Sequence, residues 1–196
     1  MIIWRSNLKL DDDLLDEVIA SVNDNPDLIG QKGMYTTYYV PSVYDRQEVE
    51  FAPHYKQILA EGLSALGLHH RCSYNFNHWM QVYGEGNVGH RPHDHYDIKV
   101  LVSWVHFVRP TSTKAFHFLD SSGNKTYPEQ NEGDFIMFCP WQLHAVDPSD
   151  DLRAVIAGNV MMNELVCHDN DETCKYHAFN GAQYSLKTIP TPSFLL

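Results

Sequence analysis

Basic residues are scarce in this sequence. Fourteen Lys and Arg stand against 25 Asp and Glu, for a formal net charge of −11. Nucleic-acid binding depends on Lys and Arg neutralising phosphates, so the balance weighs against a nucleic-acid partner unless a local basic patch provides one. Cysteine is scarce as well: Cys72, Cys139, Cys167 and Cys174 are the only four. Their irregular spacing makes no disulfide framework and reads as free thiols in a reducing compartment. Cys167, His168, Cys174 and His177 lie close together, but C-x6-C-x2-H matches no common zinc finger. Long apolar runs are missing, since none reaches the roughly 18 residues of a membrane span. The opening "MIIWRSNLKLDDD" lacks the basic segment, apolar run and small-residue site of a secretory signal. The expectation is a soluble cytoplasmic protein with no membrane association.

Internal repeats and low-complexity tracts are also absent, so the 196 residues read as a single domain, which at this size buries roughly 70% of the surface its unfolded chain exposes. Three zones divide it. Residues 1–70 are partly helical. "DDDLLDEVIASVND" opens with acids that suit the positive end of a helix dipole, and Leu14, Leu15, Val18, Ile19 and Val22 form one stripe. "APHYKQILAEGLSALGL" repeats the pattern with Tyr55, Ile58, Leu59, Leu63 and Leu66. Residues 72–163 are strand-rich, with predicted strands at 74–83, 98–108, 115–119, 134–139, 143–146 and 152–162. The turn signals "GEGNVG", "RPTST", "DSSGN" and "DPSDD" lie between them. Short strands with no intervening helices predict a sandwich or barrel. "IKVLVSWVHFV" is apolar on both alternating faces and must be covered on both sides, with the N-terminal helices as the outer cover. Residues 164–196 form a polar extension.

What the sequence has in excess is histidine, twelve in all. "GHRPHDHYDIK" alone offers His90, His93, Asp94, His95 and Asp97. On a strand, side chains two residues apart share a face at about 6.6 Å, whereas those four apart are separated by about 13 Å. His95 therefore pairs with either His93 or Asp97, and Asp94 faces away. A third ligand has to come from elsewhere, and His144 in "GDFIMFCPWQLHAVDPSDDLRAVIAGN" is the best placed, at the edge of an apolar strand. Two histidines and one carboxylate on one side of an ion, with open positions opposite, are the signature of non-haem Fe(II) oxygenases; a closed four-ligand set would mark structural zinc.

Arg153 follows His144 by nine residues, across "DPSDD". A tight reversal there returns it to the level of His144, among Ala154, Val155, Ile156 and Ala157. A cation inside an apolar strand needs an anionic partner. Two remain open: an ion pair with Asp147, Asp150 or Asp151, or the carboxylate of a bound small molecule.

Together these residues resemble the Fe(II)/2-oxoglutarate-dependent dioxygenases. "HYD" and then "LHAVDPSDDLR" with a following "GN" is similar to the H-x-D…H…R pattern. "YGEGNVGHRPHDH" resembles the approach to the site in prolyl hydroxylases, and "GDFIMFCPWQLHAV" a block of small bacterial and phage members. The resemblance covers roughly residues 74–162. It implies a mainly β fold, a double-stranded β-helix (jelly roll), with the N-terminal helices packed on its outer sheet. It also implies Fe(II), 2-oxoglutarate and O2, with succinate and CO2 released as a substrate C–H is hydroxylated. Carried over, His95, Asp97 and His144 would hold the metal and Arg153 the far carboxylate of 2-oxoglutarate. No catalytic residue beyond the metal ligands is implied. Alignment from Tyr83 shifts the motif to His93-Asp94-His95, so His93 is the alternative to Asp97. Phe107 stands where prolyl hydroxylases have a tyrosine that touches the cosubstrate, leaving Tyr83, Ser103 or Asn159 to supply polar contact. The substrate would be a peptide or protein residue or a small molecule. Two other classes compete: a cupin-type metal enzyme that ignores 2-oxoglutarate, ligated by His93, His95 and His144, and a non-catalytic jelly-roll binding protein. His90, His106 and His117 read as surface or core. Trp79, Trp104 and Trp141 read as packing, with Trp141 a candidate for the substrate mouth.

Overall fold

The computed structural model describes residues 1–39, 45–68, 72–97 and 99–165. The Cys167–His177 cluster, the paired His69 and His70 and most of the C-terminal extension lie outside these residues. Eleven strands and two α-helices are present in the described residues: β1 (Ile2–Asn7), α1 (Asp12–Asn23), β2 (Ile29–Gln31), β3 (Met34–Thr36), α2 (Asp45–Ala65), β4 (Cys72–Tyr83), β5 (His90–His93), β6 (Val100–Arg109), β7 (Phe116–Leu119), β8 (Lys125–Thr126), β9 (Asp134–Phe138), β10 (His144–Val146) and β11 (Arg153–Leu165). They form a seven-stranded sheet of order β1-β9-β6-β11-β4-β3-β2 and a four-stranded sheet of order β5-β10-β7-β8. Every pairing is antiparallel. No described helix is long and apolar enough to cross a membrane.

The six predicted strands all form, each within a few residues of its expected ends. The unpredicted β1, β2, β3, β5 and β8 have no more than six residues each, too short for a period to show. Helix α1 begins as its sequence predicts: Asp11 caps it by accepting the Leu14 N–H at 2.9 Å, and Asp12 and Asp13 occupy the first turn. Helix α2 starts seven residues before the expected Ala52 and runs through Pro53. Proline there costs one backbone hydrogen bond.

The large sheet is buried on both faces, and residue parity sorts its side chains. Val102, Trp104 and Val108 of β6, Ala154, Ile156 and Val160 of β11, and Phe76, Met80 and Val82 of β4 pack against α1 and α2. The alternate residues Val105, Phe107, Val155 and Tyr83 face the small sheet and pack with Phe116, Phe118, Phe138 and Val146. Each fully buried side chain of this size contributes roughly 1.5–3 kcal/mol. The helices are thus the outer cover that the doubly apolar β6 required. Arg109, at the end of β6, binds Asp12 and Asp16 of α1 at 2.9 Å each and ties that cover down.

The strand junctions near the small sheet are set by one turn. Buried Asn87 donates to Gly84 O and Ser149 O, and its Oδ1 accepts the Gly89 N–H. Gly89 has φ +73°, and a Cβ there would collide with Val146 O. Only glycine lets the chain enter β5 at this distance from β10.

Candidate metal centre

Three histidines converge between the sheets. His93 ends β5 and is the register partner of His144 at the start of β10. After His93 the chain leaves the strand, and the His95 N–H donates to Pro140 O at 2.8 Å, which swings His95 over the same spot. Ring centroids lie 4.3 Å apart for His93–His144, 5.0 Å for His95–His144 and 5.3 Å for His93–His95. One ring nitrogen of each lies within 4.8 Å of the others. Imidazole nitrogens bind metals at about 2.0–2.1 Å, so those sharing an ion sit roughly 3–4 Å apart; small side-chain rotations bring these three together.

Each ring is held through its Nδ1. Nδ1 of His93 bonds Arg91 O at 2.8 Å, Nδ1 of His144 bonds Gln142 O at 2.9 Å, and Nδ1 of His95 bonds Asn159 Oδ1 at 2.9 Å. These oxygens only accept, so each Nδ1 carries the proton and each Nε2 keeps its lone pair. Burial pushes the His144 imidazole down to about 3, helped by its histidine neighbours. Burial lowers His93 and His95 as well. Neutral imidazoles with a fixed tautomer and a common focus fit a metal ion.

The other expected site residues divide. Asp97 lies outside this cluster: it is exposed, its Oδ1 accepts the Lys99 N–H at 2.9 Å, and its carbonyl accepts Val100 N–H at 3.1 Å. It forms the turn into β6. Asp94 is exposed and caps Tyr96 N–H. Arg153, Tyr83 and Asn159 all reach the site, in different ways. Arg153 and Tyr83 are register partners on β11 and β4. They line a narrow cavity with His90, His93, His95, His144, Phe138 and Val155. Arg153 is only 3% exposed, and neither Nη1 nor Nη2 has a hydrogen-bond partner among the described residues. Its guanidinium lies 4.3 Å from the centre of the Tyr83 ring, a cation–π contact, while the Tyr83 hydroxyl donates to Gln81 Oε1 at 3.0 Å. Burial and the loss of water push Tyr83 up to about 12. None of the three candidate carboxylates at the turn bonds Arg153 Nη1 or Nη2: Asp147 binds Lys125 and Tyr127 at 2.6 Å each, and Asp150 and Asp151 are exposed. Asn159 accepts from His95 and from the Ser103 hydroxyl, the latter at 2.8 Å.

The cavity opens into a groove of about 780 Å³ lined by Gln31, Tyr38, Asn77, Trp79, Tyr96 and Asp97 among others. Trp79 connects the two, its ring 5.6 Å from His95 and 5.0 Å from Tyr38. Trp141 is 63% exposed and does not line this groove. His106 and His117 are buried with hydrogen bonds of their own, as core histidines should be. Sequence reasoning passed over His90, whose ring lies 4.2 Å from His93, and the Ser103–Asn159 pairing. The latter's only sequence signal is a pair of polar residues at inward positions of two otherwise apolar strands.

No protein-family model and no curated protein matches this sequence. Solved structures do match. A prolyl-4-hydroxylase from Pseudomonas putida superposes with TM-score 0.57 at 14% identity, covering 82% of this chain and 92% of its own. The fold is that of the 2-oxoglutarate oxygenases. A 2-oxoglutarate-Fe(II) oxygenase family protein from Burkholderia pseudomallei gives TM-score 0.53 at 10% identity, with 80% and 84% covered. The viral collagen prolyl hydroxylase of Paramecium Bursaria Chlorella virus-1, in its 2-oxoglutarate complex, gives 0.53 at 16% identity, with 84% and 97% covered. These likenesses establish the jelly roll expected from the sequence.

Proposed function

We propose that this chain is an Fe(II)- and 2-oxoglutarate-dependent oxygenase that hydroxylates a C–H of a peptide, protein or small-molecule substrate. The observation that carries this reading is the pairing, in one cavity, of three Nδ1-anchored histidines with a buried arginine that has no anionic partner among the described residues. Leaving a buried cation unpaired is costly, and a dicarboxylate ligand removes that cost. His93, His95 and His144 would hold the metal through Nε2. Asp97, the carboxylate expected from the motif, is better read as a turn residue at the groove mouth. Bound iron(II) would supply the activation of O2 that couples 2-oxoglutarate oxidation to hydroxylation, with succinate, CO2 and the hydroxylated substrate as products. Arg153 would clamp the far carboxylate of 2-oxoglutarate with two N–H donors. Tyr83 supports the guanidinium from one side, and Phe138, Val146 and Val155 keep water from the cavity. Trp79 and Tyr38 would wall the substrate beside His95.

The test is anaerobic loading of the protein with Fe(II), titration with 2-oxoglutarate by calorimetry, and assay of succinate after O2 is admitted. Iron-loaded protein that binds no 2-oxoglutarate would sink the reading. The all-histidine ligand set favours a second reading, a cupin-type metal enzyme in which Arg153 grips a substrate acid directly. Turnover that is indifferent to 2-oxoglutarate selects it.

A further inference from the structure

Asn159 sits at the centre of a polar row in an otherwise apolar stretch of the large sheet. Its register partners are Ser103 on β6 and Asn77 on β4. Asn77 Oδ1 accepts the backbone N–H of Asn159 at 3.0 Å. Asn159 Oδ1 receives the Ser103 hydroxyl at 2.8 Å and His95 Nδ1 at 2.9 Å. Its Nδ2 makes no hydrogen bond among the described residues, and Asn159 lines the groove.

His95 is thereby unlike the other two histidines. His93 and His144 bond backbone carbonyls within two residues of themselves, acceptors that cannot change character. His95 lies outside any strand and depends on a side chain 64 residues away. An asparagine can present either end. With Oδ1 inward, His95 carries its proton on Nδ1 and offers a lone pair at Nε2. With Nδ2 inward, Nδ1 must accept, the proton moves to Nε2, and His95 has nothing to give a metal.

We infer that Asn159 is a positioning residue for His95. With its backbone N–H bonded to Asn77 and its Oδ1 to the Ser103 hydroxyl, Asn159 sets the His95 tautomer and ring orientation through its amide, and thereby decides whether the third nitrogen of the centre is available. This rests on the reading of the three histidines as a metal centre. It reassigns Asn159 from the cosubstrate contact that the sequence suggested. An aspartate in its place can only accept, so it enforces the same tautomer; a leucine of the same shape enforces none.

The experiment has two readouts. The first is the ring-nitrogen NMR shifts of His95 in metal-free protein labelled with 15N-histidine, assigned through His95→Gln. The second is Fe(II) affinity by anaerobic calorimetry, with no cosubstrate present. Wild type and Asn159→Asp should show Nδ1 protonated and bind Fe(II) within about threefold of each other. Asn159→Leu should show a mixture of tautomers and bind Fe(II) roughly 10- to 100-fold more weakly, as orienting partners of ligands do, with its circular dichroism unchanged. Asn159→Leu with wild-type shifts and affinity overturns the inference, as does a wild type protonated at Nε2, or a folded Asn159→Asp that behaves like the leucine variant. Wild type that binds no Fe(II) overturns the metal reading itself, and the shifts then decide the role of Asn159 alone.

Discussion

The two sides of the large sheet face histidines of opposite character. On the helix side, His106 uses both ring nitrogens: Nδ1 accepts from the Tyr55 hydroxyl and Nε2 donates to Leu8 O, each at 2.9 Å. On the side facing the small sheet, His93, His95 and His144 each bond through Nδ1 alone. Burial does not separate His106 from His144, which are 1% and 4% exposed. The number of nitrogens in use does. His106 is satisfied by its own fold, whereas the three clustered histidines are oriented by the fold and each left with one lone pair.

Substitutions at the two faces should therefore fail differently. His144→Ala should abolish Fe(II) binding, a loss of more than about 100-fold, in a protein that still folds; calorimetry under anaerobic conditions reads it. His106→Ala strands the Tyr55 hydroxyl and Leu8 carbonyl and should cost about 2–4 kcal/mol in denaturant unfolding, with Fe(II) affinity unchanged. Metal loss in His106→Ala would erase the distinction between the faces.

Within the site, His93→Ala should lower Fe(II) affinity about as much as His144→Ala does, while Asp97→Ala stays within a few-fold of wild type. The reverse order would restore the two-histidine, one-carboxylate set. Arg153→Met should weaken 2-oxoglutarate binding by roughly 10- to 100-fold, the value of a charge-assisted bond of about 1.5–3 kcal/mol, and leave Fe(II) affinity alone. Because Arg153 Nη1 and Nη2 have no hydrogen-bond partner among the described residues, the ligand-free variant should melt no lower than wild type. A lower melting temperature would mean Arg153 is a structural cation.

The helix side also responds to pH. Burial lowers His78 and His106 to about 4 from 6.5. The unfolded chain binds protons more readily than the fold between those values, so stability is full above pH 6.5 and is lost as pH falls toward 4. Each histidine contributes on the order of 3 kcal/mol over that window. Denaturant midpoints of metal-free protein should be flat above pH 7 and drop steadily below 6.5. A midpoint unchanged at pH 5 would contradict the burial of both rings.

The readable and unreadable parts of the site have physical causes. That His144 and Arg153 share a cavity was legible because the chain between them makes one short reversal, so sequence spacing converts to distance. The choice between His93 and Asp97 was not, because strand alternation holds only as far as the strand. β5 ends at His93, and past that point the Pro140 carbonyl and the turn at Asp97 dictate direction. The role of Asn159 was hidden for a different reason: parity puts it on the inward face, but its partner comes from a segment with no period of its own.

By itself the sequence determined the mainly β architecture, the helical cover and the list of residues able to bind a metal, since period, turn chemistry and apolar faces are local properties. The tertiary structure alone decided which three imidazoles meet, which nitrogen each keeps free and that Arg153 has no anionic partner among the described residues. These depend on contacts between segments far apart in the chain, and no local pattern encodes where such segments come together.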